Sequence, residues 1–367
     1  MGDCIKPRIV ISAVNLHEAG PLTILKDCLR ELSDHFTVNY DIIALVGNVS
    51  ILGEEKYNIK FIEHINVRSS WINRIWFEYF TCKKISKKLN PYLWFSLHDI
   101  TPNVITQRRA VYCHNPSPLY KASLNEVSLD FKFYLFTILY KYLYQINIKK
   151  NDFVVVQQET MRTYFQKGFG LKNIVVAYPK ILAPNVPLKA INSSERFIFF
   201  FPSQARVFKN FEVILQAVEI LNNKRNDFEV RLTIDGNENQ YSKYLFRKYS
   251  KLKNVSWEGR KTRDEVFNIY QSCNAVIFPS KLETWGLPIT EAKFFKKQLI
   301  VADLPYAHET VGEYDRAIFF NPDNAYELCK KMSDLIDNKV ENQPHLYTKP
   351  FMPFCENWNE LFNILLS

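Results

Sequence analysis

The 367-residue sequence lacks the signatures of several large protein classes. It contains no GxxxxGKS or GxxxxGKT loop, which counts against a P-loop nucleotidase. It has no GxGxxG after its first strand-like run, which counts against an ordinary NAD enzyme. Its seven cysteines form no CxxC pair and are odd in number, so neither a disulfide framework nor a structural zinc site is expected. Reduced thiols in a cytosol are the better interpretation.

Long apolar runs are missing as well. No segment reaches the ~20 apolar residues that a membrane-spanning helix needs. Residues 1–14 hold no long apolar stretch, so we expect no signal peptide. The nearest candidate for membrane contact is the aromatic segment 131–150, which Lys132 and Lys141 interrupt. Two interpretations of it stay open, namely a helix lying on a membrane surface and a buried aromatic helix.

The charge balance is basic. Lysine and arginine number 47 against 38 acidic residues, giving a formal net charge of +9. This charge favours nucleic acid, an anionic membrane surface or phosphate-bearing ligands, and it does not choose among them. The composition is 47% hydrophobic and 15% aromatic, which supplies ample core and argues against disorder. The length predicts two domains, because single cores stop growing near ~250–300 residues.

Strand-like and helix-like stretches alternate along the chain, which predicts an α/β fold with parallel sheets. The predicted strands are 8–14, 39–47, 59–65, 93–99, 110–115, 152–158, 197–203, 228–236, 254–259, 274–280 and 298–303. Pro21 is expected to open the first helix, and residues 71–90 form another helical stretch. The segment 178–197 holds three prolines and several polar residues, which predicts a linker.

We therefore expect two Rossmann-like domains whose parallel sheets face each other across a cleft. The predicted limits are 1–183 for an N-terminal, acceptor-side domain and 184–345 for a C-terminal, nucleotide-binding domain. A final helix in 346–367 is expected to pack back toward the N-terminal domain. Ligands of open α/β sheets bind beyond the carboxyl ends of the strands, so the cleft is the expected site.

The stretch SKLETWGLPITEA, residues 280–292, holds two glutamates eight apart. Glu283 and Glu291 are open to three interpretations: a catalytic acid–base pair, two ends of one ligand clamp, or ordinary surface carboxylates. Gly286 permits a tight turn and Pro288 suits the first helical position. This placement puts Glu283 in the loop and Glu291 on the first turn of the helix.

The local physics of this turn favours a ligand clamp. Free N–H groups around Gly286 and Leu287 would bind an anion at the helix start. Carboxylates beside an anion repel it, but they accept hydrogen bonds well from neutral hydroxyls. A ligand with hydroxyls at both ends and phosphate in the middle fits, and a nucleotide-sugar is such a ligand.

Residues 254–324 resemble the C-terminal domain of the family-four retaining glycosyltransferases. That family shows a strand, a glycine and a helix ending in Y…CDA, then FPS…E.FGLP..EA, a strand, and P…E..G…..F.P.D. The same features occur here in the same order, with Trp285 where the family usually has Phe or Tyr. The resemblance implies a GT-B fold and sugar transfer from a nucleotide-sugar.

The resemblance also implies roles for individual residues of this stretch. Glu283 matches the glutamate that contacts the donor sugar, and Glu291 matches the one that holds the ribose hydroxyls. Gly286 and Leu287 lie where backbone amides meet the sugar and the phosphate.

Two cations follow the strand predicted at 197–203. Lys209 and Arg206 would neutralise the diphosphate leaving group as the glycosidic bond breaks. The family usually places an arginine and a lysine five residues apart here, whereas Gln204 holds that position in this sequence. Lys209 therefore carries over more directly than Arg206, and a solvated basic loop is the alternative.

Further candidates for the nucleotide pocket lie at two turns. Asp235 and Gly236 end a strand where the family has a glycine turn that lines the pocket. Arg260 lies where the family's loop passes the base. Plain turns are the alternative for all three residues.

The N-terminal half offers weaker candidates. His114 ends a strand where the family often has a histidine that touches the donor sugar, and a satisfied structural histidine is the alternative. His98 and Asp99 end the preceding strand and are candidates for the acceptor side. His17 and Glu18 would face the cleft after the first strand.

Gly20 is the one glycine left where the family carries a glycine-rich loop that approaches the donor phosphates or the acceptor. We retain it as a candidate donor-binding residue.

The resemblance implies a retaining hexosyltransferase that moves a sugar to a glycan or lipid-linked glycan acceptor, in surface polysaccharide biosynthesis. No DxD triplet occurs, which agrees with a metal-free site, and no cofactor is expected. The expected partners are the donor, the acceptor and an anionic membrane surface, without nucleic acid. The expected location is the cytoplasm, peripheral on the inner face of the membrane.

Two other function classes remain as alternatives. A nucleotide-sugar epimerase shares the GT-B fold and would need no acceptor. A carbohydrate- or nucleic-acid-binding protein without enzymatic activity would use the basic surface.

Overall fold

The computed structural model describes most of the chain, namely residues 6–17, 19–179, 196–342, 345 and 347–367. The described residues form two compact units. The first unit holds those within Met1–Pro118, Ile138–Lys180 and Pro350–Ser367, and the second holds those within Leu119–Thr137 and Ile181–Lys349. The predicted boundary between residues 183 and 184, and most of the predicted linker, lie outside the described residues, so these limits stay a prediction.

Fourteen strands occur in the described ranges. They are β1 (Arg8–Ala13), β2 (Asp41–Val46), β3 (Lys60–Glu63), β4 (Leu93–Ser96), β5 (Arg108–Cys113), β6 (Phe153–Val156), β7 (Ile174–Ala177), β8 (Phe197–Phe201), β9 (Phe228–Leu232), β10 (Val255–Trp257), β11 (Ala275–Phe278), β12 (Gln298–Ala302), β13 (Ala317–Phe320) and β14 (Phe354–Cys355). Each predicted strand corresponds to one of these. β7, β13 and β14 are not among the predicted strands.

The strands form two parallel sheets. The sheet of the first unit has the order β14-β7-β6-β5-β4-β1-β2-β3, and that of the second has the order β10-β9-β8-β11-β12-β13. Neighbouring strands pair in parallel throughout both sheets. Parallel neighbours need crossover connections, which agrees with the alternation of strands and helices in the sequence. The predicted α/β class is confirmed.

Thirteen α-helices occur in the described part of the chain. They are α1 (Ala19–His35), α2 (Trp71–Trp76), α3 (Cys82–Leu89), α4 (Leu124–Leu129), α5 (Phe131–Gln145), α6 (Glu159–Phe169), α7 (Phe211–Asn222), α8 (Gln240–Tyr249), α9 (Arg263–Ser272), α10 (Leu287–Phe294), α11 (Pro305–Val311), α12 (Ala325–Ile336) and α13 (Trp358–Leu366). A π-helical turn, Phe77–Thr81, joins α2 to α3, so the predicted helical stretch 71–90 is confirmed.

Two helices differ from their predictions. α1 begins at Ala19, so Pro21 is its third residue instead of its first. In the aromatic segment 131–150, α5 buries Tyr140 and Tyr144 but exposes Leu139 and Tyr142, so neither a fully buried nor a fully exposed helix describes it. Among the described residues, none of the helices is long and apolar enough to cross a bilayer.

The core of the first unit covers both faces of its sheet. Ile9 and Ile11 of β1 face one apolar cluster, while Val10 between them faces another. Strands that are buried on both faces are near-continuous apolar runs in the sequence, which is why the sequence predicts β1. The C-terminal α13 closes one face, since the Phe362 ring lies 5.4 Å from the Phe36 ring of α1.

The core of the second unit is built around the aromatic strand β8. Phe199, Phe200 and Phe201 are fully buried. The Phe201 ring packs 4.7 Å from Phe211 of α7, and the Phe200 ring packs 5.3 Å from Tyr270 of α9. These contacts fix the helices that follow β8 and precede β11. The loops at the carboxyl ends of these two strands carry the predicted site residues.

Candidate active site

The turn between β11 and α10 has the backbone geometry that the sequence predicts. Gly286 caps α10 with φ 80°, in the left-handed region that favours glycine. A Cβ there would lie 3.2 Å from Phe278 Cε1 and 3.3 Å from Ile289 Cδ1, which adds a steric reason for glycine. The helix begins at Leu287, one residue before the predicted start at Pro288. Pro288 has no N–H, and the Ile289 N–H donates to the Gly286 carbonyl at 2.9 Å, so the predicted anion donors at this helix start are the N–H groups of Gly286 and Leu287.

Glu283 and Lys209, predicted in separate stretches, lie in contact. Lys209 Nζ donates a hydrogen bond to Glu283 Oε1, and both side chains are mostly buried. The ammonium also lies 5.6 Å from the ring centroid of Phe208 and 5.5 Å from that of Phe278. The Lys281 N–H donates to the Phe208 carbonyl at 2.7 Å, which ties the two loops together. The arrangement holds one cation between a carboxylate and two aromatic faces.

Helix α11 supports the loop that carries Glu283. The Tyr306 hydroxyl donates to the Ser280 carbonyl at 2.6 Å, and the Thr310 hydroxyl donates to the Trp285 carbonyl. Burial, with a contribution from the nearby charge of Glu283, raises the pKa of Tyr306 well above its usual value. Sequence patterns gave no signal for Tyr306 and Thr310, because their role depends on contacts between the segments that follow the neighbouring strands β11 and β12.

Glu291 is the fifth residue of α10, so the prediction that it lies on the first turn is wrong. Its carboxylate faces α9 instead. The Tyr270 hydroxyl donates to Glu291 Oε2 at 3.3 Å, and Arg263 Nη2 lies 3.4 Å from Oε1. Burial raises the pKa of Glu291, and Arg263 and Tyr270 offset part of this effect. Arg263 and Tyr270 stand seven apart, which is two helical turns, and that spacing is the signal that could have found them.

Arg206 does not join Lys209 on a common partner. Its Nη1 lies 3.6 Å from Asp130 Oδ2, and the side chain is half-exposed. Asp130 belongs to the segment 119–137, which packs on the second unit through Phe133, whose ring lies 4.9 Å from Phe208. Arg206 therefore pairs with Asp130, whereas Lys209 pairs with Glu283.

The turn after β9 is stabilised by its own residues. The N–H groups of Asp235 and Gly236 donate to the Glu238 carboxylate at 2.8 and 3.1 Å. Gly259 lies against this turn, since a Cβ on it would come 3.2 Å from Asp235 Oδ2. The structure therefore brings Asp235 and Gly236 close to the loop that carries Arg260, whose side chain is exposed.

In the first unit, Asp99 and His114 lie together at the carboxyl ends of β4 and β5. Asp99 has φ 70°, and its Oδ1 accepts from the N–H groups of His114 and Asn115 at 2.7 and 3.0 Å. The hydroxyls of Tyr140 and Tyr144 donate to Oδ2 and Oδ1, both at 3.0 Å. His114 Nε2 lies 3.6 Å from Asp99 Oδ2. Asp99 therefore organises the backbone that presents His114.

His98 is buried inside the unit, with 1% of its surface exposed. Its Nε2 lies 3.1 Å from Ser12 Oγ, and its Nδ1 lies 3.4 Å from Glu78 Oε1. Burial, followed by the charge of Arg74, holds the pKa of His98 well below 6.5. A neutral, enclosed imidazole supports the sheet in this conformation and does not line an acceptor surface.

The remaining candidates near β1 are dispersed. His17 Nδ1 lies 2.9 Å from the Asn15 carbonyl, and the side chain is half-buried. Gly20 is the second residue of α1, so it is not part of a loop before the helix as predicted. Glu18 lies outside the described residues.

Comparison with known sequences finds a similarity to a described family in the second half of the chain. Residues 188–349 match the family described as glycosyl transferases group 1. The chain is also 25% identical over 198 residues to an uncharacterized glycosyltransferase of Haemophilus influenzae. That match covers 53% of this chain and 53% of the relative, so it spans about half of each protein.

Comparison with solved structures concerns the fold. TarM matches with a TM-score of 0.57 and 17% identity, over 71% of this chain and 51% of TarM. A mutant of TarM from S. aureus has been solved with Fondaparinux, alpha-GlcNAc-glycerol and UDP. The lipopolysaccharide outer core galactosyltransferase WaaB matches with a TM-score of 0.62 and 12% identity, over 92% of both chains. The predicted GT-B fold is confirmed by these likenesses, and residues 188–349 are similar to the glycosyl transferases group 1 family.

Proposed function

We propose that this protein is a retaining glycosyltransferase of the hexosyl type. It moves a sugar from a nucleotide-sugar to a glycan or lipid-linked glycan acceptor, in the assembly of surface polysaccharide. The observation that carries the proposal is the enclosed pair of Lys209 and Glu283 beside the Gly286 turn. The UDP and the sugars bound by the TarM mutant support this donor and acceptor class, and the name of WaaB supports the biosynthetic setting.

Lys209 and Glu283 satisfy each other's charge while no donor is bound. A diphosphate attracts the ammonium of Lys209 more strongly than one carboxylate does, because it carries more negative charge. Glu283 then accepts hydrogen bonds from the hydroxyls of the donor sugar. Negative charge develops on the diphosphate as the glycosidic C–O bond breaks, and Lys209 stabilises it there. Arg206 supplies a second cation when it leaves Asp130.

Other residues hold the nucleotide in this proposal. Glu291, oriented by Tyr270 and Arg263, accepts hydrogen bonds from the ribose hydroxyls. The amides at Gly286 and Leu287 face the phosphate, where a helix start favours negative charge.

Asp235 and Gly236 form one wall of the nucleotide pocket, with Arg260 beside the base. In the first unit, His114 keeps its expected role toward the donor sugar. Asp99 positions it, and the buried His98 is not assigned a contact with the acceptor.

The proposed reaction is a substitution on one face of the sugar. The acceptor hydroxyl attacks the anomeric carbon, the bond from that carbon to the diphosphate breaks, and the leaving phosphate takes the acceptor's proton. The protein positions groups and stabilises charge, so neither a metal ion nor a cofactor is part of the proposal. The proposed location is the cytoplasm, peripheral on the inner face of the membrane, which suits free thiols and a lipid-linked acceptor.

A thermal-shift screen against UDP-, GDP-, ADP- and dTDP-sugars tests the donor. One class of nucleotide-sugar should raise the melting temperature, because a ligand of the folded state stabilises it by mass action. UDP-sugars are the first expectation. A donor that is converted to an epimer without any acceptor would replace this proposal with an epimerase.

The mechanism has its own tests. The product should keep the anomeric configuration of the donor sugar when its proton NMR spectrum is followed during turnover. Transfer should continue in EDTA. Inversion at the anomeric carbon would contradict the retaining mechanism, and activity that depends strictly on added Mn²⁺ or Mg²⁺ would contradict metal independence.

A further inference from the structure

The first half of the helical stretch 71–89 exposes apolar side chains and buries charged ones. Five large apolar side chains are between 41% and 78% exposed: Trp71, Ile72, Ile75, Trp76 and Phe80. On the opposite side, the charged Arg74 and Glu78 are buried together with Phe77. A helix on the surface of a soluble protein shows the reverse pattern, with its apolar stripe toward the core. The five exposed residues are called the apolar face below.

The fold holds the helix in this orientation. Arg74 Nη2 donates to the His98 carbonyl at 3.0 Å, and the Asn103 N–H donates to the Glu78 carbonyl at 3.0 Å. The Ser70 side chain caps the helix by accepting from the Asn73 N–H at 3.1 Å. These contacts draw the charged side inward, so exposure of the apolar face is a property of the packed unit.

Lysines continue the same two rows of the helix. The π-helical turn Phe77–Thr81 interrupts the α-helical spacing, but Arg74, Glu78, Cys82 and Ser86 are buried at every fourth position. The exposed side that carries Ile72, Trp76 and Phe80 therefore continues to Lys84 and Lys88. The neighbouring row runs through Trp71 and Ile75 to Lys83 and Lys87. These four lysines are exposed, and the one acidic residue in the stretch, Glu78, is buried. They are called the lysine row below.

We propose that the apolar face and the lysine row dock this protein on an anionic lipid bilayer. Tryptophan favours the level of the lipid headgroups, where the apolar part of its ring is buried and its N–H stays wet. Lysines beside it attract anionic headgroups. Stable but reversible attachment needs two such signals together, and this surface has both. The inference rests on the proposed function for its use, since a lipid-linked acceptor lies in a membrane.

Sedimentation with vesicles tests the docking surface. The wild type should pellet with vesicles of phosphatidylcholine and phosphatidylglycerol at low salt, and more weakly with phosphatidylcholine alone. The variant Ile72→Ser/Trp76→Ser should bind about tenfold more weakly or worse, because the buried apolar area is lost. The matched control is Val38→Ser/Tyr326→Ser, which removes two side chains that are each 75% exposed elsewhere. Equal loss in the control, or no binding by the wild type, would overturn the proposal.

The lysine row has a separate test. Replacing Lys83, Lys84, Lys87 and Lys88 by Gln should weaken binding to anionic vesicles by roughly fivefold per lysine at low salt. The control replaces four exposed lysines of the second unit by Gln: Lys243, Lys248, Lys251 and Lys253. Because both variants change the net charge equally, a matching loss would show that total charge and not this surface drives binding, and would contradict the proposal.

A second copy of the chain is the competing occupant of the apolar face. Sedimentation equilibrium without lipid should give the same oligomeric state for the wild type and for Ile72→Ser/Trp76→Ser. A dimer that this variant dissociates would overturn the lipid proposal.

Donor-induced thermal shifts on the same samples separate this inference from the proposed function. If Ile72→Ser/Trp76→Ser keeps the donor-induced rise in melting temperature but no longer binds vesicles, the docking proposal is supported. If the wild type binds vesicles but no nucleotide-sugar raises its melting temperature, docking is supported and the proposed function is contradicted.

Discussion

The candidate carboxylates of the two units are held in different ways. In the second unit, Glu283 is paired with Lys209 and Glu291 with Arg263. In the first unit, Asp99 is held by two backbone N–H groups and two tyrosine hydroxyls. Glu78 is buried there, and within the described residues neither of its carboxyl oxygens has a hydrogen-bond partner.

The difference separates two kinds of carboxylate. An exchangeable carboxylate is paired with a cation that a ligand can take over, and an architectural carboxylate holds neighbouring groups in place. A carboxylate paired with a lysine or arginine can be released when a ligand brings its own anion for the cation. A carboxylate that accepts from several neutral donors has no such exchange, because its removal takes an acceptor from every one of them. On this basis, the second unit is the one suited to bind a diphosphate ligand, and Asp99 is suited to hold the first unit together.

The largest expected effect follows from the exchangeable pair. Lys209→Gln and Glu283→Gln should each lower kcat by about 10²- to 10³-fold, because stabilisation of the developing charge or the grip on the sugar is lost. Steady-state transfer kinetics measure this, with circular dichroism to show that both variants fold. Lys281→Gln is the control, since Lys281 lies near Glu283 in sequence but pairs with the exposed Asp323 at 2.6 Å. Wild-type turnover in both variants would contradict the roles given to Lys209 and Glu283.

The second effect concerns the architectural carboxylate. Asp99→Ala should destabilise the protein by about 2 kcal/mol, because four donors lose Asp99 as an acceptor, although the Tyr144 hydroxyl keeps the Asn115 carbonyl and the Asn115 N–H keeps the Tyr144 hydroxyl. Urea unfolding measures the change. Asn147→Ala is the control for backbone strain alone, since Asn147 has φ 60° and makes no capping hydrogen bond through its side chain. Asp99→Asn should cost less, because asparagine tolerates positive φ and keeps one acceptor oxygen. A loss no larger than in the control would contradict the role given to Asp99.

The third effect is a pH dependence at Glu78. Burial, partly offset by the charge of Arg74, raises the pKa of Glu78 to about 8 in the folded protein. The unfolded chain loses that proton near its ordinary pKa, so the folded state binds more protons between the two values. Stability is therefore fully present below the unfolded pKa and is lost as the pH rises toward 8.

Replacing Glu78 by Gln removes this titration. At pH 8 the variant should exceed the wild type in unfolding free energy by on the order of 3 kcal/mol, with a smaller difference at pH 5. Urea titrations at both pH values measure it, with Glu313→Gln as an exposed control. An identical pH dependence in Glu78→Gln and the wild type would show that His98, Arg74 or another group governs the slope.

The smallest effect tests Tyr270 as a positioning residue for Glu291. Tyr270→Phe removes one hydrogen bond of Glu291, and KM for the donor should rise about three- to fivefold with kcat nearly unchanged. Such a split indicates weaker ground-state binding of the ribose. Tyr326→Phe is the control on an exposed tyrosine. A fall in kcat with unchanged KM would place Tyr270 in the chemical step instead.

Sequence patterns predicted what depends on neighbouring residues. The apolar run of β1 and the glycine turn at Gly286 were predicted, because burial on two faces and a left-handed backbone leave local signatures. The short β14 was missed, since two residues make no periodic pattern. The start of α1 was placed two residues late, because Pro21 is equally acceptable within the first turn.

The candidate site likewise has features that the sequence predicts and features that depend on tertiary contacts. By itself, the sequence determined the order of strands and helices, the turn before α10 and the identity of Glu283, Glu291 and Lys209 as candidates. Only the tertiary structure decided that Lys209 meets Glu283 across 74 residues, that Glu291 meets Tyr270 of α9, and that Asp99 organises the backbone at His114. The reason is physical: turns and apolar runs arise from bonds and burial along the chain, whereas these partners are chosen by how the helices pack on the sheets.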